Sequence, residues 1–155
     1  MNSMPGGAAG RRGPTAGTSA AATDDARAQA EVLTAAQAVV VAFAANRVDE
    51  YFACFHPAAS FVFAETPSVL GSREEYRAEW RRWVKAGFEV LSCASSDQRV
   101  RVFGALAVFT HSIATRLRTA DGDEETRERE TIVFARQDDG AWLAVHEHVS
   151  PAPPS

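Results

Sequence analysis

The sequence predicts an α+β domain: about three N-terminal helices packed on the concave face of a curved antiparallel sheet. Three observations carry that expectation. Apolar residues recur at helical spacing as far as about residue 86. From Phe88 onward the period changes to two, the spacing of strands. Turn signals at Gly104, Asp121-Gly122 and Asp138-Asp139-Gly140 then divide the second half into consecutive strands. Helices followed by a run of neighbouring strands is an α+β order.

The first helix is expected over 24–46. Thr23 stands at its N-cap, Asp24 and Asp25 lie in the first turn, and Val32, Ala36, Val39, Val40 and Phe43 share one face. Asn46 is a plausible stop. Asp49–Phe55 carries Tyr51, Phe52 and Phe55 as a short second helix that Pro57 ends. Ser60–Ala64 is a short strand. Ser72-Arg73-Glu74-Glu75 is a capping-box pattern that opens a third helix running to about Ala86, closed by Gly87. On it Tyr76, Trp80 and Trp83 fall on one face.

Phe88–Ala94 and Gln98–Phe103 form one long strand kinked at Ser95-Ser96, and Leu106–Arg118 forms a second. Asp121-Gly122 turns the chain into Arg127–Arg136, with the charge-rich run Asp121–Glu130 expected as a solvated hairpin. Trp142–Val149 is the last strand. A curved meander under helices leaves a cone-shaped cavity with one open mouth, a typical place for a small ligand.

Bulk properties narrow the function. The chain has 155 residues, enough for one domain with a real core, and 46% hydrophobic against 23% charged content is ordinary for a globular protein. A net charge of -4 disfavours nucleic acid as a partner. The longest apolar run, Ala35–Ala45, is interrupted by Gln37 and too short to span a bilayer. Cys54 and Cys93 are expected as reduced, buried, small apolar residues. Arg11-Arg12 is followed by Gly-Pro-Thr-Ala-Gly-Thr-Ser rather than an apolar segment, so a twin-arginine signal is rejected. Residues 1–22 are expected as a disordered tail, 23–150 as the folded domain, and 151–155 as a loose end, in a cytoplasmic protein.

The last strand carries the sharpest chemical signal. One register is Leu143, Val145, Glu147 and Val149, apolar except for one carboxylate; the other holds Trp142, Ala144, His146, His148 and Ser150. A carboxylate alone in an apolar row is costly unless exposed, paired or useful. In a cavity Glu147 suits general acid/base work; the structural alternative pairs it with Arg129 or Arg136, or leaves it exposed at the mouth. His146 and His148 are further acid/base candidates. As metal ligands they would need a third, for which His111 is the one available histidine, so the expectation is no metal. Tyr51 is a candidate hydrogen-bond donor to a substrate oxygen. Phe55, Phe63, Tyr76, Trp80 and Trp83 are candidate walls of a pocket for a flat apolar ligand. No Gly-x-Ser-x-Gly, phosphate loop or dinucleotide fingerprint occurs, so any chemistry is expected to be cofactor-free.

The order of elements resembles the SnoaL-like branch of the nuclear transport factor 2-like superfamily. The closing pattern Asp139-Gly140-x-Trp142-x-x-Val145-His146-x-His148-x-Ser150 is the most specific match, similar to the end of the association (hub) domain of calcium/calmodulin-dependent kinase II. Gly71-x-Arg73-Glu74, opening the third helix, also resembles the family, and the likeness covers about residues 24–150. It implies a small-molecule pocket and a homodimer through the sheet. It adds Thr110 and Phe134 as pocket-lining candidates, and places the register of Leu143, Val145, Glu147 and Val149 in the cavity. The hub's carboxylate-binding arginines fall near Thr110, Ile132 and Val149, none of them basic, so carboxylate recognition is not carried over.

The resulting expectation is a small-molecule-binding domain that performs cofactor-free acid/base chemistry, of isomerase, dehydratase or cyclase type, on a small apolar or aromatic substrate. The alternative is a non-catalytic ligand-binding or oligomerisation module.

Overall fold

The structure, a computed structural model, describes residues 17–155. The part of the expected tail spanning residues 1–16 lies outside the described residues. Three helices, α1 (Gly17–Ala44), α2 (Val48–Ala53) and α3 (Arg73–Lys85), are combined with five strands. These are β1 (Phe55–Val62), β2 (Glu89–Phe103), β3 (Leu106–Thr119), β4 (Gly122–Arg136) and β5 (Trp142–Pro151). They form one sheet in the order β1-β5-β4-β3-β2. The four long strands run antiparallel, and β1 adds to β5 in parallel.

The antiparallel part of the sheet is bent at three breaks in its ladders, between Val90 and Ser92, between Ser96 and Arg99, and between Val133 and Phe134. An extra residue on one strand bends it and tightens its twist. The second break is the expected kink: Asp97 takes a left-handed conformation there, at φ 51°. So curved, the open sheet cups the helices, and α1 lies across β2. No helix among the described residues is long and apolar enough to cross a membrane.

Two side chains lock this arrangement. Asn46 ends α1 at φ 54°, and its side chain serves the edge strand β2 as a missing ladder partner. Its Nδ2 donates to the Val90 carbonyl at 2.7 Å, and the Val90 N–H donates to its Oδ1 at 2.9 Å. Trp142 Nε1 donates to Glu31 Oε2 at 2.9 Å, tying β5 to α1. At α3, Ser72 Oγ accepts from the Glu75 N–H at 3.1 Å, as a capping box requires. The reciprocal bond comes from one residue further back, the Gly71 N–H donating to Glu75 Oε2 at 2.6 Å.

The core is aromatic. Phe52, Phe55, Phe61, Phe109 and Phe134 are fully buried, with Ile132 and Val32. Burying a side chain of this size stabilises by about 1.5–3 kcal/mol.

Four expectations change. Thr23 does not cap α1, which begins at Gly17; the Thr23 hydroxyl donates to the Ser19 carbonyl one turn back. β1 starts at Phe55, so Pro57 sits inside a strand, on the sheet edge where its missing N–H is tolerated. β4 begins at Gly122 rather than Arg127; the charge-rich run is a hairpin exposed from Asp121 to Glu125, but Glu128 and Glu130 at its base face inward with Ile132 and Phe134. Finally, the last strand does not keep one register. Val133 pairs His146 and Phe134 pairs Ala144, leaving Val145 as a bulge. Trp142 and Ala144 are therefore buried before the bulge and Glu147 after it, while Leu143 and Val145 face the other side.

Candidate active site

Between the helices and the inner face of the sheet lies a cavity of about 380 Å³. That is the size range of small-molecule sites. Val39 and Phe43 of α1, Tyr76 and Trp83 of α3, and Ile113 and Thr115 of β3 line its sides. Glu147 lies in its wall and is only 3% exposed. Its Oε2 is buried without a hydrogen-bond partner. The expected partners do not reach it: alternation turns Arg129 to the other face of β4, and Arg136 stands exposed at the end of the strand, four residues beyond Ile132, which pairs with Glu147. Its neighbours are acids instead. Burial first, then the charge of Glu130 and that of Glu128, push the Glu147 carboxyl well above the usual carboxylate range.

Glu130 has a donor of its own. His111 Nε2 lies 2.7 Å from Glu130 Oε2, and both side chains are buried. On the far side of the ring, Nδ1 lies 2.6 Å from Ser95 Oγ, which accepts from Gln98 Nε2 at 2.8 Å. With one lone pair of the serine oxygen so occupied, its O–H is free to donate to Nδ1. In the tautomer in which Nδ1 accepts that O–H, the proton is on Nε2 and is donated to Glu130. The kink of β2 is what sets Ser95 and Gln98 at this spacing. Glu130 therefore has a hydrogen-bond partner in His111, whereas Glu147 Oε2 beside it has none.

Above the acids, the Tyr51 and Tyr76 hydroxyls are hydrogen-bonded to each other at 3.0 Å. Both rings are buried in a cluster with Phe52, Phe55 and Phe61. Burial, then the charge of Glu147, raises both phenols well above their ordinary range, so they remain neutral donors. Half-buried Glu128 is pushed up to about 7 by burial and by the charges of Glu65 and Glu130. Burial also raises Cys93, which lines the cavity as a neutral thiol. Both cysteines are free.

Of the residues singled out in the sequence, Glu147, Tyr51, Phe63, Tyr76 and Trp83 meet in the cavity wall. Phe55, Trp80 and Phe134 are buried but belong to the packed core behind it. Thr110 is on the opposite face of β3, between Arg99 and Thr131. His146 and His148 are also outside the cavity. His146 Nδ1 bonds to Ser60 Oγ at 2.8 Å across the β1–β5 seam, and His148 is exposed. The bulge at Val145 turns Glu147 inward and with it the histidines outward. His111 faces inward, so the three histidines do not converge. Among the described residues no group of three or more His, Cys, Asp or Glu is placed to hold a metal.

Glu128 and Glu130 were not candidates from the sequence, and His111 was weighed only as a third metal ligand. The signal existed: Glu130 and Glu128 continue the same alternation as Phe134 and Ile132, two residues at a time.

The raised carboxyl predicts a pH-dependent stability. Below about pH 4.5 Glu147 is protonated in both folded and unfolded chains. As pH rises, the unfolded chain loses that proton first, so stability falls until the folded group ionises as well. The amide that replaces the carboxyl in Glu147→Gln cannot ionise. The variant should therefore melt close to wild type at pH 4.5 and several degrees above it at pH 8, read by calorimetric melting. A gap that does not widen with pH would mean that Glu147 ionises as freely folded as unfolded.

A family model for the SnoaL-like domain matches residues 32–154. No curated protein matches the sequence. Among solved structures, the S. rosetta CaMKII hub superposes with a TM-score of 0.67 at 21% identity, covering 80% of this chain and 96% of its own. An NTF2-like protein of Cytophaga hutchinsonii gives 0.67 at 15% identity, covering 78% and 95%. A candidate dehydratase of the NTF2-like family from Streptomyces avermitilis gives 0.66 at 21% identity, covering 83% and 98%. At these identities the likeness is one of fold.

Proposed function

Because the chain belongs to the SnoaL-like domain family, we propose that it is a cofactor-free acid/base enzyme of isomerase, dehydratase or cyclase type, acting on a small substrate in the cone cavity. The observation that carries this reading is the unpartnered, buried Oε2 of Glu147 in the wall of that cavity. A desolvated carboxyl whose pKa is raised well above the usual carboxylate range suits general acid/base work. The Tyr51–Tyr76 pair supplies a neutral O–H where a substrate oxygen gains charge. His111 gives Glu130 a hydrogen-bond partner that Glu147 Oε2 lacks, which leaves Glu147 the carboxyl open to a substrate.

A second reading, a non-catalytic assembly module that pairs through the outer sheet face, is favoured by Phe103 and Leu106, both exposed at the β2–β3 turn. It gives no use to the orphaned oxygen of Glu147, so the acid/base reading is preferred.

The test is a carbon acid that needs only a base. In 5-nitrobenzisoxazole, a carboxylate removes the proton on C3, the N–O bond breaks, and a coloured 2-cyano-4-nitrophenolate is released. The active form is ionised Glu147. The rate should therefore climb with pH well beyond the range where acetate is already fully active, and level off above the raised carboxyl. A rate no greater than that of acetate at equal concentration, or a profile flat above pH 5, would remove the acid/base reading.

A further inference from the structure

The cavity carries a charge pattern that proton transfer alone does not use. Glu65, Asp121, Glu124, Glu128, Glu130 and Glu147 all line it, and no Lys or Arg does among the described residues. The strands that supply these acids are not short of arginine. Arg116 and Arg118 are turned to the other face, where they pair with Glu125, Glu89 and Asp123. Arg127 and Arg129 are exposed there as well. Alternation along β3 and β4 leaves the basic side chains outside, paired with acids there, and the inner face with carboxylates alone.

Clustered carboxylates on a surface are ordinary, because water and salt screen them. Here the deepest of them is almost wholly buried and has an oxygen with no partner. The rest of the wall is aromatic: Phe43, Phe63, Trp83 and Phe88 stand around the same space. Ring faces are negative and attract cations, most strongly where water is excluded. An anionic ligand would meet six carboxyls and no counter-charge. A neutral ligand would leave the Glu147 oxygen unpaired unless it brought a donor.

We propose that the ligand of this cavity is an organic monocation, an amine or ammonium with an apolar or aromatic body, whose charged head is held between Glu147, Glu128 and the aromatic rings. This deepens the acid/base reading, on whose cavity it rests, by naming the substrate class. It also couples binding to a proton. Glu147 faces Glu128 and Glu130 from β4, Tyr51 from α2 and Tyr76 from α3, with His111 of β3 behind Glu130 and Glu65 beside Glu128. None of these offers it a fixed positive charge. A bound cation favours the ionised carboxylate, so binding releases a proton and tightens as pH rises.

The test uses three probes of one shape, 2-phenylethylammonium, 2-phenylethanol and phenylacetate, titrated calorimetrically into the full chain at pH 7.5. The ammonium should bind at least about tenfold more tightly than the alcohol, the scale expected for a desolvated cation–π contact with a charge partner. Phenylacetate should be weakest. Titration in two buffers of different ionisation enthalpy should show proton release for the ammonium alone. Glu128→Gln, at a half-buried position that tolerates the change, should shrink the preference for the ammonium over the alcohol. Equal binding of alcohol and ammonium, tighter binding of phenylacetate, or no binding by any of the three would overturn the proposal. Selective ammonium binding without turnover of the nitrobenzisoxazole would keep it and remove the acid/base reading; turnover without selectivity would do the reverse.

Discussion

Glu147→Gln should lower turnover of 5-nitrobenzisoxazole by about 10²–10⁴-fold, the range typical for losing a positioned general base. The substitution removes the titrating oxygen and keeps the shape. The new amide fits the same space and brings an N–H₂ that can donate to Glu130, so the fold should gain rather than lose stability. That combination separates chemistry from folding: a dead variant that melts higher than wild type cannot have lost activity by unfolding. The steady-state rate on the plateau of the wild-type pH profile is the measurement, where Glu147 is ionised. A Glu147→Gln protein that retains more than about a tenth of the wild-type rate would place the base elsewhere, with Glu128 next in line because its carboxyl is also raised, to about 7.

Much of this site was legible in the chain because it lies on strands with strict alternation. Glu147 stood out as a carboxylate among Val145 and Val149, and the structure does put it in the wall. The reason was only half right. Val145 itself faces away, because a bulge at that residue exchanges the two faces in mid-strand. A bulge depends on how two strands pair, and nothing local in Ala144-Val145-His146 announces one. The same bulge explains why His146 and His148 proved to lie outside. The helix stripe of Tyr76, Trp80 and Trp83 was read correctly as one face, yet Trp80 is swallowed by the core while its neighbours reach the cavity. Spacing fixes direction around a helix, not depth. Glu128 and Glu130 were overlooked for a different reason. Their run of charges looks solvated by composition, and composition hides alternation when both faces are polar.

Phe61 shows how packing and chemistry are joined, and Phe61→Ala should have the largest cost in stability, about 3–5 kcal/mol. The ring is fully buried. It lies 4.5 Å from the Tyr76 ring and 5.1 Å from that of Phe55, centre to centre. Its backbone is held on both sides, paired with Glu147 on β5 and bonded to Leu70 in the loop before α3. An alanine there leaves a void that rigid strands cannot close, so transfer and cavity costs add. The void also opens directly beside Glu147. Since burial is the largest cause of that carboxyl's raised pKa, water entering the void should stabilise the ionised form. The pH profile of turnover should then move toward the acid side, by an amount that scales with the volume removed. Phe61→Leu, which leaves a smaller void, should fall between the alanine variant and wild type on both axes. Urea denaturation gives the first axis and the pH–rate profile the second. A large loss of stability with an unmoved profile would show that the aromatic cluster supports the fold without setting the acidity of Glu147.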